Sequence, residues 1–513
     1  MRRGLAFLVV LAGCGSGDAP PAGPRLPPAV LLMTWDTTRA DRLGCYGDAT
    51  AHTPVADALA ARGLRFERAW AAAPITLPSH ATILSGTWPV CHGLRVNADA
   101  AASPAARLLQ EALAERGFLT GAFVGSFVLD ARFGLAQGFA TYHGPPVGVP
   151  GSQAEEVERP ANDVVDDALA FLATAPRDRP LFLWVHFYDP HQPLRPPQRL
   201  LPGARDAYAA EIAFCDEQAG RLLAALAPRD PLVVLTADHG EALGEHGEAT
   251  HGMLLHDATL RVPLLLAGPG VSHGVVAAPV GSIDIAATIL QALDLPATLL
   301  PDQQGRSLLD PAGADRALLI ETRMPWQTRR WHALDGIVWQ GWKLVEGARA
   351  ELFELAQDPG ESHDVAVSHA DRVEALRARR AALAADCGSA WAQARTPDAD
   401  ELVRLAALGY TGGAPAGTDG SLLAAAPDPR DRLGDVALAD EALELLRQGR
   451  ALLGLDPGSG ARDEAAGRER LAAAAALLEG VLAGNPEDPT AVSMLGLVRL
   501  ALGNTEEACA LFE

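Results

Sequence analysis

Three acidic residues each stand just past an apolar run. Asp36 follows Ala29-Val30-Leu31-Leu32-Met33-Thr34-Trp35, Asp189 closes the segment that begins at Pro180, and Asp238 follows Leu232-Val233-Val234-Leu235-Thr236. His239 comes directly after Asp238. Carboxylate and imidazole are the donor types that hold a divalent cation. The expected metal set is therefore Asp36, Asp238 and His239, completed by the hydroxyl of Thr76. That threonine lies in Pro74-Ile75-Thr76-Leu77-Pro78-Ser79-His80, ahead of an apolar helical run that stops at Gly86. Ser79 is the expected N-cap of that helix and Gly86 its C-terminal stop. Thr76 then sits in the turn before a helix N-terminus, where free N–H groups and the helix dipole favour an anion. A hydroxyl coordinated to a metal ion has a lowered pKa and becomes a nucleophile. The substrate this arrangement fits is a tetrahedral oxyanion ester, with Arg39, His80, His191 and His251 as further contacts.

These residues have plainer readings as well. A hydroxyl before a capped helix is an ordinary helix start. Arg39 is equally suited to pairing with a carboxylate, and His80 to a solvated helix face. Asp166-Asp167 reads as a solvated face and His246 as a loop residue.

The elements that must position the candidates follow from patterning. Continuous apolar runs at 29–35, 118–124, 180–187, 232–236 and 262–266 read as strands buried on both faces. Helices are expected from Thr53-Pro54 to Gly63, from Ser103-Pro104 to Gly117, over 163–173, over 206–226 and over 283–293, with Pro at N1 in the first two. Strands alternating with helices predict an α/β fold with a mostly parallel sheet and helices on both faces. Ligands of such sheets bind beyond the carboxyl ends of the strands, so Asp36, Asp189 and Asp238 are expected to converge there.

The totals exclude some partners. The chain has 513 residues, 49% of them hydrophobic, and a formal net charge of -22. Such a charge argues against nucleic acid, whose phosphates need cationic neutralisation. Lys343 is the only lysine, so no lysine-based site precedes it. Arg2-Arg3, the apolar Leu5–Leu11 and the box Leu11-Ala12-Gly13-Cys14 read as a processed export signal. The apolar stretch is too short to span a bilayer. The box resembles the bacterial lipoprotein signal, which implies lipidation at Cys14, a flexible tether over 15–28, and a lipid-anchored place in the bacterial envelope. The remaining cysteines, Cys45, Cys91, Cys215, Cys387 and Cys509, have neither disulfide-framework nor metal spacing. A Cys45–Cys91 bridge is the pairing considered in an oxidising compartment.

After about residue 300 the texture changes. Trp342-Lys343-Leu344 and Glu351–Leu355 read as strands of a small antiparallel subdomain, about 300–385, followed by a helix over 371–385. Residues 386–428 read as a linker. Residues 429–513 read as helical, with 471–482 and 490–502 amphipathic and a third helix after Gly503-Asn504. This spacing resembles tetratricopeptide hairpins, which implies a protein partner. A simple bundle fits the pattern equally well.

Several segments taken together resemble the sulfatase family of the alkaline phosphatase superfamily. They are Asp36-Thr37-Thr38-Arg39-Ala40-Asp41 with Leu43-Gly44-Cys45-Tyr46-Gly47, the Thr76 stretch, Asp189-Pro190-His191-Gln192-Pro193, Thr236–Glu241, Arg261-Val262-Pro263-Leu264, Gly305–Leu309, and Glu351–Leu355 leading to Asp358-Pro359-Gly360-Glu361. The likeness covers roughly 29–385 and implies an alkaline-phosphatase-like α/β domain. It also implies hydrolysis of sulfate or phosphate-type esters of small molecules, glycans or lipids, with one divalent ion (Ca, Mn, Mg or Zn). A second ion at Asp189, His191 and His251 is the fuller variant. Three departures stand out. Family members carry Cys or Ser, oxidised to formylglycine, where this chain has Thr76, and threonine cannot be so converted. Thr37 replaces the second aspartate of the first metal motif. The family's substrate-binding lysines are missing, with His251 near the place of one. Formylglycine hydrate expels sulfate through its second hydroxyl; a threonine sulfate has no such exit. The resemblance therefore leans toward phosphoester or phosphonate ester hydrolysis. An envelope phospho-group transferase and a degenerate scaffold are the alternatives.

Overall fold

In the computed structural model, the described residues are 28–145, 158–309, 315–388, 390–395, 401, 426–456 and 462–512. The signal and tether expected at the N-terminus, Cys14 included, lie outside them.

The main sheet has eight strands among the described residues: β1 Ala29–Trp35, β2 Leu64–Phe66, β3 Leu119–Val124, β4 Thr141–His143, β5 Leu181–Phe187, β6 Leu232–Ala237, β7 Leu264–Ala267 and β8 Gly274–Val276. Their order is β8-β2-β7-β6-β1-β5-β3-β4. The centre, β6-β1-β5-β3, is parallel, and β7 is antiparallel to both β6 and β2. The fold is thus the mixed α/β architecture that patterning predicts. Every residue of β1 is buried, because helices cover both faces. Val30 and Leu32 pack into one core, Ala29, Leu31, Met33 and Trp35 into the other. That alternation is the period of two of a strand.

Helices α1 Pro54–Arg62, α4 Ala161–Thr174 and α5 Ala207–Leu226 serve one face; α2 Thr76–Ser85, α3 Leu109–Ala114 and α6 Asp284–Ala292 serve the other. The helix expected from Ser103 shrinks to α3, because Ser103 Oγ takes the N–H of Ala105 in a local turn and the chain turns again before Leu109. The strand expected at 262–266 is split at Pro263. Arg261–Val262 pairs with Ala69–Trp70 in a separate small sheet, and β7 joins the main one.

A four-stranded antiparallel sheet follows: β9 Leu318–Thr322, β10 Leu334–Trp339, β11 Trp342–Glu346 and β12 Ala350–Glu354, in sequence order. Helix α7, Met324–Arg329, sits between β9 and β10, and α8, Ala370–Ala385, comes after β12. Residues just beyond α8 are not the linker that composition predicts. Cys387 is disulfide-bonded to Cys91, and Ala392–Ala394 pairs with Ala100–Ala102. Cys45 is a free thiol, so the Cys45–Cys91 pairing is corrected.

The C-terminal region is all helical: α9 Leu433–Leu453, α10 Glu464–Gly484, α11 Pro489–Ala501 and α12 Thr505–Phe512, around its own apolar core. It docks on α7. Asn485 Nδ2 donates to Arg329 O at 2.6 Å, Thr490 Oγ1 donates to Thr328 O at 2.7 Å, and Arg329 faces Asp488 at 3.4 Å. Among the described residues no helix is long and apolar enough to cross a membrane.

Candidate active site

The pairing register sets the site at the carboxyl edge of the sheet. Thr34 of β1 lies opposite His186 of β5 and Thr236 of β6. One residue beyond β1, Asp36 N donates to Phe187 O at 2.8 Å. Asp36 and Asp238 therefore leave adjacent strands side by side. Gly240 then lets the chain pass beneath Ala258: a Cβ there would lie 2.3 Å from Ala258 O.

Helix α2 meets this edge with its N-terminus. The helix begins at Thr76 itself, with Ile75 as the capping residue, rather than at the expected Ser79. Ser79 lies within the first turn and uses its hydroxyl to grip Asp238 O at 2.6 Å. That bond ties the helix start to the end of β6. Gly86, at φ +70°, closes the helix. Thr76 Oγ1 lies 3.4 Å from His239 Nε2.

Asp36, Asp238 and His239 offer one ligand atom each, all within 4.8 Å of one another and all buried. Both Asp36 oxygens and Asp238 Oδ2 are sealed from solvent and have no hydrogen-bond partner among the described residues. Two buried carboxylates side by side with three unsatisfied oxygens, Asp238 Oδ1 alone accepting the His239 N–H, are costly without a cation. Burial raises the pKa of both, and in Asp238 the charge of Asp36 adds to the rise. Burial opposes protonation of His239, but Asp238 and Asp36 overcome it and hold the ring above its ordinary value. His239 Nδ1 donates to Gly240 O at 3.0 Å, which turns Nε2 toward Asp36 Oδ1 (3.7 Å) and Asp238 Oδ2 (3.4 Å). A second hydrogen bond that fixes the tautomer is characteristic of metal-ligating histidines. The donor set fits a divalent cation.

The other expected site residues divide. His251 and His191 are at the site: their rings lie 5.0 Å apart, and His251 is 4.5 Å from His239. Burial keeps both neutral, His191 at about 4 and His251 well below its ordinary value. His191 Nδ1 faces Gln192 O at 2.6 Å. Tyr188 Oη lies 2.7 Å from the same nitrogen, so both neighbours hold the ring through Nδ1. His251 Nδ1 is 3.2 Å from Glu241, whose carboxyl burial lifts to about 8.

Asp189, His80 and Arg39 depart from expectation. Both Asp189 oxygens accept the Ala161 N–H that opens α4, at 3.0 and 2.9 Å. Asp189 is thus a helix-capping carboxylate, and the expected convergence of three strand-end aspartates reduces to two. His80 is buried beneath the site. Its Nδ1 donates to Thr76 O at 2.8 Å, and its Nε2 meets Thr34 Oγ1 at 3.0 Å. It braces the first turn of α2 rather than reaching a substrate. Arg39 is engaged by Asp41 and Glu245, each at 2.7 Å.

Three further residues bear on the site that the expected set of ligands and contacts leaves out. His186 Nε2 lies 3.4 Å from Asp36 Oδ2. Asn97 Oδ1 accepts the Leu77 N–H at 2.9 Å, and its buried Nδ2 beside the start of α2 has no partner among the described residues. The Glu158 carboxyl is buried near Asp36; burial, then the charge of Asp36, drives its pKa well up against the Phe127 backbone, which favours the charged form. A histidine inside an otherwise apolar strand was the one available signal, and it pointed to His186.

Residues 28–295 match the family model described as Sulfatase, a little over half of the chain. The chain belongs to the sulfatase family. Its relatives include the Delta 4,5-hexuronate-2-O-sulfatase of Bacteroides thetaiotaomicron, 24% identical over 439 residues, spanning 69% of this chain and 87% of the relative. Among solved structures, the phosphonate monoester hydrolase of Agrobacterium radiobacter superposes with a TM-score of 0.59 at 20% identity, over 72% of this sulfatase-family chain and all of that one. A protein solved with its substrate D-glucosamine-2-N,6-O-disulfate also reaches 0.59, at 18% identity, over 70% and 98% of the two chains. As a member of the family, the protein is an ester hydrolase.

Proposed function

We propose that this sulfatase-family protein hydrolyses phosphate-type esters, such as phosphodiesters or phosphonate esters, with Thr76 as nucleophile. The observation that carries the reading is a threonine hydroxyl, 3.4 Å from His239, where the family resemblance places a formylglycine precursor. Relatives are named for sulfate esters and for phosphonate monoesters. The chemistry of a threonine divides these two classes. A sulfated threonine must be cleaved by attack at sulfur or stall, whereas a phosphothreonine is a recognised intermediate type for attack by water at phosphorus.

A divalent ion held by Asp36, Asp238 and His239 would lower the Thr76 pKa and neutralise developing negative charge. The protein groups do the rest. Thr76 Oγ forms the bond to phosphorus in line with the departing alcohol, which leaves with a proton. Asn97 Nδ2, which has no partner among the described residues, and the neutral His251 receive the equatorial oxygens. Water then attacks phosphorus opposite Thr76 Oγ, giving its proton to a base such as His191, and Thr76 Oγ takes a proton as it leaves, which regenerates the hydroxyl.

The reading extends to place and partner. We infer a lipid anchor at Cys14 in the bacterial envelope; the Cys91–Cys387 bridge supports an oxidising compartment. Labelled fatty acid should enter the wild type and not Cys14→Ala. The helical tail, docked through α11, is read as a tetratricopeptide-like surface for a protein partner. The test of the activity is a panel of aryl sulfate, phosphate monoester, phosphodiester and phosphonate ester against metal-reconstituted enzyme.

A further inference from the structure

The last carbonyls of a helix have no partner within it. In α7 two of them are taken by the helical tail: Thr328 O accepts from Thr490 Oγ1 at 2.7 Å and Arg329 O from Asn485 Nδ2 at 2.6 Å. The bonds run on from there. Thr328 Oγ1 donates to Met324 O, one turn back, at 2.7 Å. Met324 N, at the start of the helix, donates to Thr322 Oγ1 at 3.3 Å. Thr322, fully buried, spends its own hydroxyl proton on Gly252 O at 2.5 Å. Gly252 follows His251 in the chain.

The loop that carries His251 is thus held from two sides. Within the main domain, Glu248 Oε1 takes the N–H groups of Met253 and Leu254 at 2.6 and 3.3 Å. From the four-stranded sheet, Thr322 takes Gly252 O, and Met324 packs over the same residue. Gly252 sits at φ +99°, and a Cβ there would lie 2.3 Å from Met324 Sδ. Three threonine hydroxyls, on Thr490, Thr328 and Thr322, therefore join the first turn of α11 to the backbone beside His251. Such buried links are firm, because a buried polar group that loses its partner has no water to turn to.

We propose that docking of the helical tail positions His251, with Thr322 as the positioning residue that passes the tail's grip on α7 to the active-site loop. The tail is then part of the working enzyme and not only a surface for a partner. Its displacement moves a ring that stands 4.5 Å from His239. The effect on rate rests on the reading of His251 as a substrate contact, where a misplacement of about 1 Å costs on the order of 10²-fold. The mechanical link does not rest on it.

The test reads amide hydrogen exchange and turnover in the full chain. In wild type, exchange across a denaturant series should show peptides covering 249–256, 324–331 and 485–490 sharing one opening, distinct from that of 29–35. Separate openings, or an opening of 249–256 shared with 29–35 alone, would overturn the proposal whether or not any variant folds. In the double variant Asn485→Ala, Thr490→Val, exchange at 249–256 should quicken at least ~5-fold with 29–35 unchanged. Quickening that stops at 324–331 would confine the tail's effect to α7 and contradict the proposal. Thr322→Val should lower kcat at least ~10-fold with metal content retained, and Thr322→Ser should restore it. Equal rates in the two variants would remove Thr322 from the account. A silent substrate panel alongside quickened exchange at 249–256 would reject the ester-hydrolase reading and leave the link from tail to loop standing.

Discussion

Thr76 Oγ1 and His239 Nε2 stand 3.4 Å apart, although 163 residues separate them in sequence. The contact exists because Ser79 Oγ ties the first turn of α2 to Asp238 O, and His80 Nδ1 holds Thr76 O from below. The hydroxyl at the helix start and the ligands at the strand ends are one unit.

Removal of that hydroxyl should stop the reaction without dispersing the site. Thr76→Ala is expected to lose at least ~10³-fold in kcat, while its circular dichroism and its retention of metal persist. Quenched turnover of the wild type should yield a peptide containing Thr76 with the added mass of a phosphoryl or phosphonyl group. Full activity in Thr76→Ala would remove the nucleophile from the account.

Asn97 offers a donor where negative charge develops. Asn97→Ala should lower kcat by about 10²–10³-fold, as loss of an oxyanion donor does, with metal content unchanged. A loss confined to KM would assign Asn97 to substrate binding alone.

Chelation should destabilise the wild type and spare the ligand variants. An ion bound only by the folded state raises the melting temperature by mass action. EDTA is therefore expected to lower the midpoint of wild type but not of Asp36→Asn or Asp238→Asn. Equal responses in all three would place the ion elsewhere.

The Cys91–Cys387 bridge spans 296 residues and clamps the segment beyond α8 to the segment after α2. Cys387→Ser should cost about 2–4 kcal/mol of stability, read by denaturant unfolding, with metal content unchanged.

Burial pushes the Glu248 carboxyl up to about 8, against the N–H groups of Met253 and Leu254 that favour its charged form. The folded state therefore holds a proton there that the unfolded chain releases near pH 4.5. Stability from this group is full below that point and falls as pH rises toward 8. Glu248→Gln should flatten the decline over that window by up to about 1.4 kcal/mol per pH unit. Melting curves at pH 5, 6.5 and 8 read the difference.

Much of this was legible in the chain. Apolar runs buried on both faces marked β1, β5 and β6, and the residues that end β1 and β6 pointed to Asp36 and Asp238. The losses have physical causes. Asp189 also ends a strand, but a helix N-terminus arrives beside it and takes its oxygens, which no local pattern reveals. His186 looks like core in Leu181-Phe182-Leu183-Trp184-Val185-His186-Phe187; only the register opposite Thr34 turns it to Asp36. Ser79 has the look of an N-cap, yet the helix starts three residues earlier because Thr76 O is held by His80. Cys91 and Cys387 are paired by the return of the chain after α8, a tertiary event.

The most direct test of the central claim is the ratio of kcat/KM for a phosphodiester or phosphonate monoester to that for the matched aryl sulfate, measured on metal-reconstituted wild type with Thr76→Ala as the blank. The account predicts a ratio well above one that collapses in the variant. Faster hydrolysis of the sulfate, lost in Thr76→Ala, would contradict it.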